Sequence, residues 1–328
     1  KRVTKNGHLM LEIEDDEDNA NFLILKDSSL HADAQNILRD EILLFEVYLT
    51  DTLFIVKDYQ RPGKPLQHED PRLLEDDVGI AFISDIHAGS RFFLQQRFKD
   101  MIEFLNGKKG NREAAGKIKY LSLAGDLVDG IGVYPNQEKE LVVPDIYGQY
   151  NLLSNMLLEI PAHIQVLLCP GNHDASRVAE PQPKLAEEFT KPLLQYKNFH
   201  FVGNPSVHKV HGLEMLMYHG TSSDSLVANL PILKDGYTHT EKIAVEMLKR
   251  RHLMPLYGEE TMVPEANDYL AIMEKPDIFH FGHIHRNSYL QYHGTHIINS
   301  GTWQDRTDYQ VKLGHVPTPC NLPIYNVK

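Results

Sequence analysis

The sequence predicts an α/β protein in which a small β-barrel over residues 1–72 precedes a layered α/β domain over residues 73–328. Three observations predict this fold class. Short strand-like segments fill the first part of the chain, whereas apolar runs alternate with helical patterns from Val78 onward. Between the two parts, residues 61–65 are rich in Pro and Gly and residues 69–77 are acidic, which is typical of a linker.

The first part of the chain is expected to be mostly β-structure. Residues 9–13 alternate between apolar and polar side chains, which is the pattern of a half-buried strand. Residues 22–25 and 53–56 are short apolar runs, and each is followed by a Lys-Asp turn. Residues 33–45 are expected to be helical or irregular. Together these segments favour a small closed β-barrel.

In the second part, a polar cluster follows each of five apolar runs. The runs, which are expected to be strands, are residues 80–83, 118–123, 164–168, 213–218 and 278–281, with an amphipathic helix over residues 92–106. The clusters are Ser84-Asp85-Ile86-His87, Gly125-Asp126, Gly171-Asn172-His173-Asp174, His219-Gly220 and Gly282-His283-Ile284-His285. Since ligands of layered α/β proteins bind beyond strand ends, these clusters are expected to share one site.

Each cluster alone is a weak signal, because a turn Asp or a surface His is the commoner explanation. The set as a whole offers oxygen and nitrogen ligands without sulfur, which suits Mn²⁺, Fe or Zn²⁺ rather than a structural zinc. If one carboxylate bridges, seven ligands suit two ions roughly 3.5–4 Å apart, the spacing of two-metal phosphatases and nucleases. The candidate ligands are Asp85, His87, Asp126, Asn172, His219, His283 and His285.

The ordered pattern D-x-H, G-D, G-N-H-D, H-G and G-H-x-H resembles the calcineurin-like metallophosphoesterase superfamily over roughly residues 78–305. The resemblance implies a two-sheet β-sandwich flanked by helices and two divalent ions, Mn²⁺ first, with Fe, Zn²⁺ or Mg²⁺ as alternatives. The implied ligands of one ion are Asp85, His87 and His285, and those of the other are Asn172, His219 and His283. Asp126 is implied to bridge the two ions.

The same resemblance implies a mechanism. A water that bridges the ions would attack phosphorus in line. His173 would stabilise the charge of the transition state or protonate the leaving oxygen, and Asp174 would orient His173.

Further motifs make the chain similar to the small subunit of the archaeal D-family DNA polymerase. They are Arg39-Asp40-Glu41-Ile42, Leu248-Lys249-Arg250-Arg251-His252-Leu253, Pro255-Leu256-Tyr257-Gly258 and Asn299-Ser300-Gly301-Thr302-Trp303-Gln304. This resemblance implies an OB-fold domain followed by a 3′–5′ proofreading exonuclease that acts on DNA 3′ ends. It also implies a large polymerase subunit as partner, with a sliding clamp nearby. Family members carry a further N-terminal region, so a chain that starts at Lys1 is expected to be a piece of a longer protein.

Composition sets limits on the partners. Lys plus Arg total 33 against 45 Asp plus Glu, which gives a net charge of −12 and argues against binding nucleic acid by broad electrostatics alone. Two cysteines, the lack of a signal peptide and the lack of a long apolar run predict a cytoplasmic protein without a membrane segment. Local contacts with DNA are expected from Arg91, Arg286 and Arg306.

Two other groups of residues have both a functional and a structural explanation. The basic run Lys249-Arg250-Arg251 could bind DNA, but a solvated helix end is the commoner explanation and is preferred here. Phe92, Phe93 and Tyr147 could stack on a frayed 3′ end, although aromatic side chains near a helix start usually pack in the core, as is expected of Trp303.

Two alternatives to a polymerase-associated exonuclease stay open. A free-standing metallophosphatase or phosphodiesterase would hydrolyse small phosphoesters without a partner, but it gives no role to the first part of the chain. A catalytically silent scaffold subunit would bind the polymerase without hydrolysing DNA, and the complete ligand set argues against it.

Overall fold

The computed structural model describes residues 1–50, 53–61 and 76–328. Its strands are β1 Arg2–Val3, β2 Leu9–Glu14, β3 Asn19–Ile24, β4 Leu44–Leu49, β5 Phe54–Gln60, β6 Gly79–Ile83, β7 Ile118–Ala124, β8 Gln165–Cys169, β9 Phe199–Phe201, β10 Ser206–Val210, β11 Leu213–Met217, β12 Ile278–Phe281, β13 Ser288–Tyr292, β14 Thr295–Asn299 and β15 Ile324–Asn326. Its α-helices are α1 His31–Ala34, α2 Gln95–Leu105, α3 Arg112–Lys117, α4 Ile146–Leu157, α5 Glu187–Thr190, α6 Ser223–Asn229, α7 Thr240–Arg250 and α8 Asp308–Leu313, with 3₁₀ turns at Gln137–Lys139 and Pro231–Leu233. Among these described helices, none has the length and apolar character needed to cross a bilayer. The predicted linker, and with it the predicted boundary between residues 72 and 73, lies almost entirely outside the described residues.

The first five strands form one sheet in the order β1-β2-β3-β5-β4. The predicted strands near residues 9–13, 22–25 and 53–56 are confirmed as β2, β3 and β5, whereas β1 and β4 were not predicted. The segment predicted to be helical or irregular contains only the short helix α1 and ends in β4. Alternate side chains of β2, such as Leu9 and Leu11, pack with Ile24 and Val56 in a small core of their own. This sheet order alone does not establish a closed barrel, so the OB-fold stays a prediction.

The remaining strands form two further sheets, in the orders β15-β6-β7-β8-β9 and β10-β11-β12-β14-β13. Inside each sheet the central strands pair in parallel, while β15, β10 and β13 pair antiparallel at the edges. All five strands that were predicted to precede polar clusters are confirmed as β6, β7, β8, β11 and β12. Their near-continuous apolar sequences are typical of strands that are buried on both faces.

The period of two along each strand divides its side chains between two cores. Phe82 of β6 packs in one core cluster with Met215 of β11 and Ile298 of β14, so the two sheets face each other. Ala81, next to Phe82, belongs instead to a cluster that includes side chains of α2 and α4. On the other side, Phe279 packs with side chains of α6 and α7. A helical layer therefore covers the outer face of each sheet.

The predicted helix over residues 92–106 begins later, at Gln95. The backbone N–H of Leu94 donates to the carbonyl of Trp303 at 2.9 Å, and Phe93 forms an isolated β-bridge with Gln304. These long-range contacts keep Phe93 and Leu94 out of the helix, and a turn at residues 91 and 92 precedes them. Trp303 itself is buried at 2% exposure and packs edge-on against Phe98, as predicted.

The predicted solvated face at Lys249-Arg250-Arg251 is wrong for its central residue. Arg250 is buried, forms an ion pair with Glu246 one helical turn earlier, and donates to the carbonyl of Asn36 at 2.7 Å. Its Nε also lies 3.4 Å from the carboxylate of Glu41. Arg250 therefore joins α7 to the N-terminal part of the chain. Arg251 is the left-handed C-cap of α7, and its side chain donates to the carbonyls of residues 272 and 273.

Candidate metal centre

The predicted ligands lie together beyond the carboxyl ends of the parallel strands. Donor atoms of Asp85, His87, Asp126 and His285 all lie within 4.8 Å of one another, and the same holds for Asp126, His219 and His283. Asn172 joins the second group, because its Oδ1 lies 2.9 Å from His219 Nε2 and 3.1 Å from His283 Nδ1. The structure thus brings all seven predicted side chains together, with Asp126 common to both groups.

The distances inside the cluster fit ligands that share a cation. Two atoms that bind one ion at about 2.1 Å lie roughly 3.0–3.4 Å apart at octahedral or tetrahedral angles. The Nε2 atoms of His87 and His285 face each other at 3.0 Å. His285 Nε2 lies 3.3 Å from an oxygen of Asp85, and His219 Nε2 lies 3.3 Å from Asp126 Oδ2. The residues present therefore fit a divalent metal ion in each group.

The buried carboxylates of the cluster need a positive counter-charge. Asp85 and Asp126 are buried at 0% and 1% exposure, and their side-chain partners are imidazoles and backbone N–H groups. Burial disfavours ionisation of Asp126, but His219, His173 and His87 outweigh it and hold its pKa well below the usual range. Burial likewise opposes a charged His219, yet Asp126 raises the pKa of that imidazole to about 10. Buried carboxylates of this kind are stable only when a protonated imidazole or a metal cation lies next to them.

The backbone of the cluster is unusual. Asp85, His87, Asp126, His283 and His285 all have a left-handed conformation, with φ between 49° and 66°. Non-glycine residues seldom adopt this region, and when they do they concentrate at functional sites. In each D-x-H or H-x-H pair both residues are left-handed, and both side chains reach the cluster. In the D-x-H pair, Asp85 and His87 belong to the same group, whereas in the H-x-H pair His285 joins that group and His283 joins the other.

Two glycines make room for the carboxylates. A Cβ atom at Gly171 would lie 2.3 Å from Asp126 Oδ1, and one at Gly282 would lie 2.3 Å from Asp85 Oδ2. Either contact is far shorter than van der Waals distance, so only glycine fits at these two positions. This explains why the G-N-H-D and G-H-x-H motifs begin with Gly.

The imidazoles of the cluster also have partners on their outer side, and sequence reasoning missed the side chains among them. His87 Nδ1 lies 3.2 Å from Asp129, and His283 Nε2 lies 3.0 Å from Asp224. The side-chain amide of Gln310 contacts His285 Nδ1 at 2.8 Å, and the carbonyl of residue 124 contacts His219 Nδ1 at 2.9 Å. Outer contacts of this kind orient metal-binding imidazoles and fix their tautomers. Asp129 follows Asp126 by three residues, but no sequence signal marks Asp224 or Gln310.

His173 lies beside the cluster, and its contacts differ from those predicted. Its Nδ1 lies 2.7 Å from the carbonyl of Asp129, which fixes the ring, and its Nε2 lies 4.0 Å from Asp126 Oδ2. Burial lowers the pKa of His173. The predicted role of Asp174 in orienting His173 is wrong. Asp174 accepts hydrogen bonds from the N–H groups of residues 127 and 171 and from the hydroxyl of Tyr150, so it braces the loop instead.

A cavity of about 560 Å³ opens above the cluster. It is lined by His87, Asp126, Val133, Tyr134, Asn172, His173, Asp224, Tyr237, His283, Ile284, His285, Gln304, Thr307, Tyr309, Gln310 and His315. Phe92, Phe93 and Tyr147, for which core packing was preferred over stacking on DNA, are not part of this wall. Phe93 packs against the core cluster that includes α2 and α4, and Tyr147 stacks on Phe189.

Two of the three arginines that were predicted to contact DNA have structural partners, whereas the buried Nε of Arg306 has no hydrogen-bond partner among the described residues. Arg91 pairs with Asp308 at 3.0 Å, and Arg286 donates to the carbonyls of residues 238 and 316. In the part of the chain that the structure describes, no Lys or Arg lines the cavity. The chain's own positive charge is therefore placed elsewhere.

Comparison with known proteins agrees with the polymerase resemblance. The family model for the B-type subunits of DNA polymerases alpha and epsilon matches residues 80–289. The chain is 43% identical to the DNA polymerase II small subunit of Methanocaldococcus jannaschii, covering 99% of this chain and 55% of that protein. It is 39% identical to the same subunit of Methanothermobacter thermautotrophicus, covering 99% and 67%. The chain thus spans about half to two thirds of the length of these relatives.

One solved structure, from a study of a novel archaeal phosphodiesterase, aligns with 12% identity and a TM-score of 0.35. The alignment covers 69% of this chain and 84% of that one. A TM-score this low supports no inference about fold or activity.

Proposed function

Since the chain belongs to the family of B-type subunits of DNA polymerases alpha and epsilon, and within it to the small subunits of archaeal DNA polymerase II, we propose that it is a metal-dependent 3′–5′ DNA exonuclease. In this proposal the enzyme hydrolyses phosphodiester bonds at DNA 3′ ends as the small subunit of a replicative polymerase. The helix-covered pair of sheets is then its calcineurin-like phosphoesterase domain, over residues 73–328. The N-terminal sheet is its OB-fold-like domain, over residues 1–72.

The single observation that carries the proposal is the convergence of seven oxygen and nitrogen donors around Asp126. Asp85, His87 and His285 would hold one divalent ion, and Asn172, His219 and His283 would hold the other. Asp126 belongs to both groups and would bridge them. Buried carboxylates and left-handed non-glycine residues both lower stability, and a bound cation would compensate the carboxylates. A subunit that served only as a scaffold would gain nothing from them.

When bound, the two ions, with Mn²⁺ expected first, would polarise the phosphoryl oxygens and lower the pKa of water. The chain's own residues provide position and proton transfer. The carbonyl of Asp129 accepts a hydrogen bond from His173 Nδ1 and so directs Nε2 of that ring into the cavity. In the imidazolium form, Nε2 donates its proton to the leaving oxygen, or a hydrogen bond to the phosphoryl group. Asp174 acts only indirectly, by bracing the loop that carries Asn172 and His173.

The polymerase context determines the proposed partners. A large catalytic subunit is the expected partner, and a sliding clamp is expected near it. The net charge of −12 fits this assignment, because the partner subunit would supply the positive charge that binds DNA. The 3′–5′ polarity is supported only by the family resemblance, so the test of function must measure it.

The test is digestion of single-stranded oligonucleotides labelled at the 5′ or the 3′ end, with Mn²⁺ and with a chelator. We expect a 5′ label to remain on a ladder of shortening strands and a 3′ label to be released first, both only with metal. Asp126→Ala and His219→Ala should abolish digestion. Asp235→Ala and His239→Ala are controls for the same residue types outside the cavity, and thermal unfolding of all four variants shows whether the buried substitutions retain the fold.

Each alternative function predicts a different result. A scaffold subunit would leave both labelled strands intact in Mn²⁺ while it still bound the large subunit. A free-standing phosphodiesterase would hydrolyse a simple diester such as bis(4-nitrophenyl) phosphate but leave oligonucleotides intact. Release of the 5′ label first would refute the proposed polarity.

A further inference from the structure

Part of the wall of the cavity is aromatic. The rings of Tyr134 and Tyr309 are nearly parallel, with an interplanar angle of 24° and centroids 5.5 Å apart. On its inner side, Tyr134 approaches the ring of His173, with a centroid distance of 6.2 Å. The two tyrosines therefore extend from the reaction centre toward the mouth of the cavity.

Contacts on both sides hold this aromatic wall in place. The hydroxyl of Tyr134 donates to Glu140 at 2.8 Å. Tyr309 lies in the first turn of α8, which begins with a capping box formed by Thr307 and Gln310. The Gln310 side chain also contacts His285 of the ligand cluster. The position of the Tyr309 backbone is thus tied to the metal centre, while its side chain is 48% exposed and can accept a ligand against its ring.

The chemistry of the wall selects one kind of ligand. The lining contains acidic, amide, imidazole and phenol groups, and none of its described members is a Lys or an Arg. Phosphates away from the metal centre therefore find no cation here. A planar ring does find a partner, because every nucleobase presents a π-face that stacks on an aromatic side chain without regard to sequence.

We propose that Tyr309, backed by Tyr134, binds the base of the terminal nucleotide whose phosphodiester bond lies at the metal centre. The inference rests on the proposed function and adds the part of the substrate that is recognised. A base can lie flat on Tyr309 only after it has left the helical stack. The preferred substrate is therefore a single-stranded or frayed end, with little dependence on which base it carries.

The test compares two single-stranded oligonucleotides that differ only at the 3′-terminal nucleotide. One carries an ordinary base there and the other a stable abasic analogue, so the phosphodiester bond is unchanged. The first cleavage is measured with the Mn²⁺-loaded chain, with its Tyr309→Ala and Tyr309→Phe variants, and with Tyr269→Ala. Tyr269 is the matched control, because its side chain is 58% exposed and lies outside the cavity.

For the unchanged chain we expect the KM of the abasic end to exceed that of the ordinary end by about 10-fold, within the roughly 5- to 150-fold that one stacked base contributes. Tyr309→Ala should raise the KM of the ordinary end to the abasic value and leave the abasic end unchanged. Tyr309→Phe and Tyr269→Ala should keep the difference, because the first retains the aromatic ring and the second lies elsewhere. Equal KM values for the two ends, or an equal rise for both ends in Tyr309→Ala, would overturn the inference and leave the exonuclease intact.

A binding measurement separates this inference from the proposed activity. Calorimetry with deoxyadenosine monophosphate and with deoxyribose 5-phosphate needs no turnover. We expect the nucleotide to bind about 10-fold more tightly than the sugar phosphate, and Tyr309→Ala to remove that advantage. If the chain digests neither oligonucleotide, the proposed exonuclease activity is refuted. The base-binding surface is then supported by the calorimetric difference and refuted by its absence.

Discussion

Asp224 offers a direct test of one of the two proposed ion sites. Its Oδ2 lies 3.0 Å from His283 Nε2, and its Oδ1 accepts a hydrogen bond from the Tyr237 hydroxyl at 2.9 Å. In Asp224→Asn the amide oxygen can still accept from Tyr237, but an N–H₂ group then faces His283. The imidazole would be forced to carry its proton on Nδ1, the atom that lies 3.1 Å from Asn172 in the cluster. The substitution should therefore weaken the binding of the ion that His283 is proposed to hold.

The size of the effect follows from burial. Loss of an outer partner typically weakens metal binding by roughly 10- to 100-fold, or about 1.4–2.7 kcal/mol. The Asp224 side chain is 50% exposed, so solvent screens its charge and we expect the lower end, about 10-fold. Asp129 is the corresponding partner of His87 and is fully buried, so Asp129→Asn should approach about 100-fold on the other ion.

The assay is calorimetric titration of the metal-free chain with Mn²⁺ at fixed pH, analysed for two sites. Asp224→Asn should weaken one site and leave the other unchanged, while Asp129→Asn should weaken the other site. Asp235→Asn is the control, because its carboxylate is similarly exposed and pairs with Lys242 instead of a cluster imidazole. If Asp224→Asn takes up both ions with unchanged constants, His283 is not oriented by Asp224, and the assignment of its Nδ1 as a ligand loses its support.

Four further predictions concern catalysis, stability and substrate binding. His173→Ala should keep both ions in calorimetry yet lower kcat by about 10²–10⁴-fold, and an unchanged kcat would remove His173 from proton transfer. Arg250→Ala should lower the free energy of unfolding in urea by about 3 kcal/mol, the lower end for a broken buried ion pair, because Glu246 and Glu41 each lose one counter-charge but keep Lys249 and Arg61; a loss below about 1 kcal/mol would contradict this. Burial opposes ionisation of Glu246, but Lys249 and Arg250 outweigh it and lower its pKa, so its stabilising effect is complete above the unfolded-state value of about 4.3 and is lost as pH falls further. Urea midpoints measured from pH 6 down to pH 3 should therefore fall less steeply in Glu246→Gln, and parallel curves would refute this. The KM for single-stranded DNA should rise by only about 3- to 7-fold between 50 and 200 mM salt, as expected for one or two phosphate contacts, and a rise of 10³-fold would indicate an extended basic surface.

The sequence was informative where a candidate ligand comes directly after the end of a strand. The candidate ligands Asp85, Asp126 and His219 each come two residues after the end of a parallel strand, and these strands of the two facing sheets end beside one another. The order of motifs along the chain was therefore enough to predict the convergence. The left-handed backbone that turns both Asp85 and His87 inward was not predictable from these residue types, since it runs against their ordinary preference.

The sequence failed where a contact depends on the path of a loop or on distant packing. The predicted helix began at residue 92, but α2 begins at Gln95, because Leu94 contacts Trp303 more than two hundred residues away. The aromatic wall instead includes Tyr309, from a short helix that no periodicity indicated. Arg250 belonged to a basic run that is usually solvated, and only the return of the N-terminal part of the chain to α7 buries it.

The electrostatics of the cavity link metal binding to substrate binding. Asp126 and Asp224 line a cavity that has neither Lys nor Arg among its described residues, in a chain whose net charge is −12. Without ions, this surface repels a phosphodiester. Under the proposed function, the same carboxylates would attract the cations and repel DNA until the cations are bound, so we expect the ions to bind before the scissile phosphate. Because the aromatic wall contributes no charge, it can hold a base without weakening this order.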